Sequence, residues 1–243
     1  MIWDEYCIEY LNARPTKHFQ EAASPLLSAV HRSVRSASKK DWEWFVLALG
    51  DAQKKWFVVF ALDAIGTLPK VLFMPMLRAA VYERNPSLNR KFVEPCIRCY
   101  GHLRVNEVLL DFFEKGTNFE KAGAANASYW ALMPLAFKGS VPNFDGENAI
   151  SESRSTRVAL DDILLRQRCL FLQEFVSNTD IDVRRSLIPR LELKDPSVYP
   201  EHLRPLVDQA IQIARAHSDD YIHHRVEVQL DRDRLLKPLP RRD

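Results

Sequence analysis

Glycine is scarce in this chain: 7 of its 243 residues are Gly, and none follows Gly146. Rossmann and P-loop phosphate sites need clustered glycines, so that backbone N–H groups can approach a phosphate. Neither G-x-G-x-x-G nor G-x-x-x-x-G-K-[ST] occurs, and G-x-S-x-G and H-E-x-x-H are missing as well. Folds built from many short strands also lean on Gly-bearing turns, so the scarcity favours helices. Cysteine is scarce too. Cys7, Cys96, Cys99 and Cys169 are too few for a disulfide framework in a chain of this length.

No charge excess exists: 34 Lys+Arg face 32 Asp+Glu, a formal net charge of +2. A dedicated nucleic-acid binder usually carries a basic surplus, so a nucleic-acid partner is disfavoured. No apolar run approaches the roughly 18 residues that a membrane span requires, so no membrane association is expected. The opening MIWDEYCIEY is acidic where a secretory leader would be basic and then apolar. Together with reduced cysteines inside apolar helical patterns, this points to a reducing compartment, the cytoplasm.

What the chain does have is an ordinary globular make-up, 47% apolar and 27% charged, which excludes disorder. Its 14 prolines mostly flank apolar stretches, as helix punctuation. Trp42, Phe45, Val46 and Leu49 recur at helical spacing, with Gly50 as a terminator. Trp44 is out of phase with Trp42, so one of the two is expected at the surface. Lys55–Ile65 follows, then a helix with Val71, Leu72, Met74, Leu77, Ala80 and Val81 on one side, broken at Asn85-Pro86-Ser87. Later, Leu203–Ala214 carries Leu206, Ala210, Ile211 and Ile213 as its expected buried stripe.

Two segments look alike. FVVFALDAIGTL (57–68) and FVEPCIRCYGHL (92–103) align Phe57 with Phe92, Val58 with Val93, Gly66 with Gly101 and Leu68 with Leu103, an offset of 35. A third copy is plausible at 121–132, with Ala125, Tyr129 and Leu132 in the places of Cys96, Tyr100 and Leu103. Farther on, Asp180, Asp182 and Val183 open one helix, and Asp219, Asp220 and Ile222 open another. Acids there cap free N–H groups and meet the positive end of the helix dipole.

From about Asp41 to Leu230 the chain resembles the HEAT family of helical repeats, which pairs two antiparallel helices per unit of about 40 residues. Asp182-Val183-Arg184 matches the family's typical opening of a first helix, and Asp220-Ile222-His223 matches it loosely. The resemblance implies an all-α, right-handed α-solenoid of about five helical hairpins. Residues 1–40 would form an N-terminal helical cap of two short amphipathic helices at most. Residues 41–230 would be the repeat array, and 231–243 a short basic tail. The stretch 137–156, rich in Gly, Ser, Asn and Pro, reads as a loop inserted before a helix at 157–176.

Candidate chemistry is sparse. Cys96-Ile97-Arg98-Cys99 is formally C-x-x-C, but a structural zinc site needs a second pair, and the motif lies in the repeat-matched helix, where core packing explains it. His217, Asp219, Asp220, His223 and His224 form the densest set of metal-capable side chains, with Asp219/His223 and Asp220/His224 at i, i+4. A helix cap accounts for them more simply, and no metal or cofactor is expected. Basic clusters at His31-Arg32-Arg35, Lys39-Lys40 and Lys54-Lys55 read as solvated faces, or as a phosphate-tracking groove if they fall on one surface.

The implied architecture carries the functional reading. Stacked helix pairs present an extended concave surface, which suits a macromolecule better than a small ligand. Arg78, Arg104, Glu107, Asp111, Asp162, Arg166 and Gln173 would point into it, with Trp130 beside the inserted loop as an aromatic anchor. Their mixed charge suits a protein with complementary patches. The expectation is a non-enzymatic protein-binding scaffold or adaptor, of the bacterial inhibitor or immunity type given its modest size. The alternative is a HEAT-like DNA-binding protein or DNA glycosylase acting on damaged bases. The paired-Trp motif of those enzymes is missing here, since Trp42-Glu43-Trp44 is not equivalent to it.

Overall fold

The computed structural model describes residues 2–15, 19–137 and 147–230. Among these residues there are twelve α-helices and no strand, so the chain is all-α. The helices are α1 (Ile2–Ala13), α2 (Phe19–Arg35), α3 (Lys39–Leu49), α4 (Lys54–Ile65), α5 (Lys70–Val81), α6 (Arg90–Tyr100), α7 (His102–Lys115), α8 (Asn118–Phe137), α9 (Glu147–Ser177), α10 (Ile181–Leu187), α11 (Pro205–Arg215) and α12 (Asp220–Leu230). No described helix is long and apolar enough to cross a membrane. Packing divides the chain into two units, Met1–Leu109 with Ala127–Gly139, and Leu110–Asn126 with Ser140–Asp243. Helices α7 and α8 contribute to both.

In the first unit, α2 packs on α4, α4 on α6, and α3 on α5, so these helices meet the second one along the chain, while α1 packs on α2 and α5 on α6. The two look-alike segments are α4 and α6 with the residues that follow them. Phe57 and Phe92, Val58 and Val93, and Ala61 and Cys96 are all fully buried. Both helices end on a glycine with positive φ, 66° at Gly66 and 79° at Gly101, a backbone region that Gly enters without a Cβ clash. Gly50 also ends its helix, but with φ −80°, so its role there does not depend on the left-handed region.

The third copy does not take this form. Helix α8 runs unbroken through Tyr129 and Trp130, because Trp130 stands where the earlier copies have Gly66 and Gly101. The described part of the expected loop 137–156 is helical. Helix α9 starts at Glu147, ten residues before the expected Arg157, and residues 138–146 lie outside the described residues. No Gly or Pro follows Gly146 until Pro189, so nothing in the sequence stops the helix from extending backwards through 147–156. The proposed tail, 231–243, lies outside the described residues.

Burial corrects two face assignments in this unit. Trp44, not Trp42, is buried, and Trp42 is half-buried. On α5, Leu72, Phe73, Met76, Leu77, Ala79, Ala80 and Val81 are buried, whereas Val71 and Met74 are exposed. Helix α5 packs on both α3 and α6, so its covered arc is wide and sits one residue off the arc read from sequence.

In the second unit, α9 packs on α10 and α11, and α11 on α12. Asp180 caps α10 by accepting the N–H groups of Asp182 and Val183, both at 3.0 Å, and Val183 is fully buried. Phe113 and Phe171 meet with ring centroids 4.6 Å apart. The buried stripe of α11 is Val207, Ala210 and Ala214, at i, i+3, i+7. Leu206, Ile211 and Ile213, expected in that stripe with Ala210, flank it half-buried.

Candidate partner-binding surface

The surface positions named from sequence fall in both units. Arg78, Arg104 and Glu107 are exposed in the first; Asp111, Asp162, Arg166 and Gln173 are exposed in the second. Arg104 on α7 lies over the Phe73 ring of α5, 5.3 Å from its centroid, so it neighbours the helix that carries Arg78. Glu107 follows Arg104 by three residues on α7 and shares its face.

In the second unit, Arg166 donates from one guanidinium nitrogen to both oxygens of Glu114, at 2.6 and 2.8 Å. Asp111 pairs with Lys115 one turn along α7. These two candidates therefore have intramolecular partners that an incoming ligand must displace. Exposed ion pairs are worth little, about 0–1 kcal/mol, so displacement is cheap. Asp162, Arg166 and Gln173 share one face of α9 by their spacing.

Trp130 is half-buried and has a partner as well. Its indole N–H donates to the Pro86 carbonyl at 2.7 Å, and the Arg90 guanidinium sits over its ring at 5.6 Å. The residue thus ties α8 to the turn between α5 and α6.

Two of the five candidate metal side chains, His217 and Asp219, serve the start of α12, while Asp220, His223 and His224 are exposed. The Asp219 carboxylate accepts the N–H of Ile222 at 3.1 Å and two N–H groups of Arg185, at 2.5 and 3.1 Å. Its carboxyl is held below the usual range, first by that Arg185 bond. The His217 ring accepts the Asp219 backbone N–H at 3.0 Å. Among the described residues, no three His, Cys, Asp or Glu side chains converge to hold a metal. Cys96 is fully buried in α6, and burial pushes its thiol well above the ordinary value. Cys99 accepts the Leu68 backbone N–H at 3.2 Å, which leaves the C-x-x-C pair a packing feature.

A further surface feature escapes the apolar periodicity. Val71, Met74, Arg78 and Tyr82 follow one another at spacings of three, four and four, and all are exposed: Val71 50%, Met74 48% and Tyr82 45%. On α3, which packs on α5, Leu47 is 77% exposed. The only charged residues of α5 are Lys70 and Arg78, both basic. The apolar content of α5 is the signal for this face, since the helix carries more large apolar residues than one buried side can hold.

No protein-family model, curated protein or solved structure matches this chain.

Proposed function

We propose that the protein is a non-enzymatic protein-binding module, built as a HEAT-like right-handed solenoid of about five helical hairpins. The observation that carries the binding reading is the outward stripe Val71, Met74 and Arg78 on α5 with Tyr82 at its C-cap. Clustered exposed apolar residues mark interaction sites, and Met with Tyr beside Arg is a common hot-spot composition. The basic, acid-free helix favours an amphipathic segment of a partner that carries acids beside its apolar residues. The solenoid reading is supported by the step-by-two packing of α2, α4 and α6 and by the shared register of α4 and α6. An adaptor or inhibitor role fits both.

The test is affinity capture from native lysate with nuclease treatment, run in parallel with Met74→Glu. A near-stoichiometric protein that survives nuclease and is lost with Met74→Glu is the expected result. A protein retained equally by both chains removes the α5 stripe from the proposal. Recovery of nucleic acid in place of protein overturns the protein-binding reading.

A further inference from the structure

Within the first unit, His31, Val34 and Arg35 of α2, Trp42 of α3, and Thr67 and Pro69 from the α4–α5 connection line an open cleft of about 240 Å³. Its polar side chains can all donate: a guanidinium and an indole N–H only donate, and a hydroxyl and an imidazole can. No Asp or Glu lines it. Among the described residues, none of these side chains has a hydrogen bond or ion pair. Trp3 and Trp44 give their indole N–H groups to carboxylates; that of Trp42 meets no acceptor.

The surroundings are basic as well. Arg32, Lys39, Lys40 and Lys70 are exposed beside the lining residues in sequence. Of the acids beside Trp42 in sequence, Asp41 is engaged by Ser38 and Trp3, and Glu43 does not line the cleft. Pro69 caps α5 without a side-chain bond, so the positive end of that helix has no side-chain acceptor at this edge of the cleft. Val34, Pro69 and the Trp42 ring supply an apolar wall.

A ligand that fits must bring acceptors and negative charge on a small apolar body. Two guanidinium N–H groups, one imidazole N–H, one indole N–H and one hydroxyl offer about five donors from three separate segments. A carboxylate has two oxygens in one plane, while a phosphate monoester has three strong acceptor oxygens set tetrahedrally. We propose that this cleft binds a phosphate monoester on a small aromatic or aliphatic body, with Arg35 and His31 on the phosphate and Trp42 beside the body.

The probe is phenyl phosphate, titrated into the full ¹⁵N-labelled chain while the tryptophan indole N–H signals are followed. One indole signal should shift saturably, and that signal should be missing in Trp42→Phe. Arg35→Gln, at the exposed end of α2, should keep the helical circular dichroism and weaken binding about tenfold or more, the usual worth of a charge-assisted hydrogen bond. Benzoate should bind more weakly than phenyl phosphate. A short phosphotyrosine peptide distinguishes the source: equal or tighter binding identifies a phosphorylated side chain, weaker binding a free small ester. The proposal is overturned by absence of saturation at millimolar phenyl phosphate, by an unchanged affinity in folded Arg35→Gln, or by benzoate binding as tightly.

Discussion

The indole N–H of Trp3 donates to Asp41 Oδ1 at 2.6 Å, and the exchange is returned: the indole N–H of Trp44 donates to Asp4 Oδ1 at 3.0 Å. Helices α1 and α3 each present a Trp and an Asp, and each Trp reaches the Asp of the other helix. Both rings also contact Phe45, at 4.8 Å for Trp3 and 5.5 Å for Trp44. Asp41 serves α3 at the same time. Its Oδ2 accepts the hydroxyl and the backbone N–H of Ser38, at 2.6 and 2.7 Å, and closes a capping box.

These bonds make acid a selective stress. The Asp41 carboxyl is held below its ordinary range by the Ser38 hydroxyl, then by the Ser38 backbone N–H, then by Trp3. Asp4 is held down chiefly by Trp44. A carboxyl with a folded pKa below its unfolded value, about 3.9, contributes its stability above that value and loses it as pH falls through the folded one. The melting temperature should therefore begin to drop as pH falls below about 5 and keep dropping as pH passes through the lowered folded values. Asp41→Asn should melt lower than the parent at neutral pH and show a smaller drop on acidification. Parallel melting curves across that range would exclude a role for Asp41.

Lys55 and Glu83 form an ion pair at 2.5 Å with side chains only 12% and 10% exposed, and the ammonium lies 5.4 Å from the Trp56 ring and 5.7 Å from the Phe92 ring. Glu83→Gln strands a largely buried cation, which should cost about 3 kcal/mol in chemical denaturation. The double variant Lys55→Met/Glu83→Met should recover most of that loss, because no unpaired charge remains. A double variant as unstable as the single one would show that the pair holds the fold by more than charge balance.

The two positive-φ glycines should respond differently from the third helix-ending one. Gly66→Ala, in the left-handed helical region, should cost about 1 kcal/mol, and Gly101→Ala, with φ 79° and ψ 163° in a region open essentially to Gly alone, about 2 kcal/mol, both from backbone strain alone, since an added Cβ meets nothing within 4 Å at either site. Gly50→Ala, with φ −80°, should be near neutral. Equal losses at all three would show that the positive φ is not the cause.

Val183 is fully buried in the first turns of α10, two residues after the exposed Ile181. Val183→Asp should cost on the order of 4 kcal/mol, because it buries a charge without a partner. Ile181→Asp should change stability by well under about 1 kcal/mol. Similar melting of the two variants would contradict the register of α10.

Local pattern was enough to show that the chain is helical and where most of its helices lie. Apolar spacing near 3.6 residues, glycine at Gly66 and Gly101, and the Asp180 cap are signals that read the same in any fold. They also place Phe57, Phe92, Cys96 and Val183 in the interior, because each sits at the centre of its apolar arc. The width of each covered arc came from packing instead. Neighbours on two sides of α5 bury Phe73 and Met76 and leave Val71 and Met74 outside, and Trp44 displaces Trp42 as the core residue. Periodicity defines which residues share a face, not how many faces are covered. The bonds of Trp3 to Asp41, Trp44 to Asp4 and Trp130 to Pro86 join residues 38 to 44 positions apart. The donor-lined cleft likewise draws on three separate segments. No local pattern encodes such meetings, because they depend on where separate helices stop and how they pack, which the whole chain settles at once.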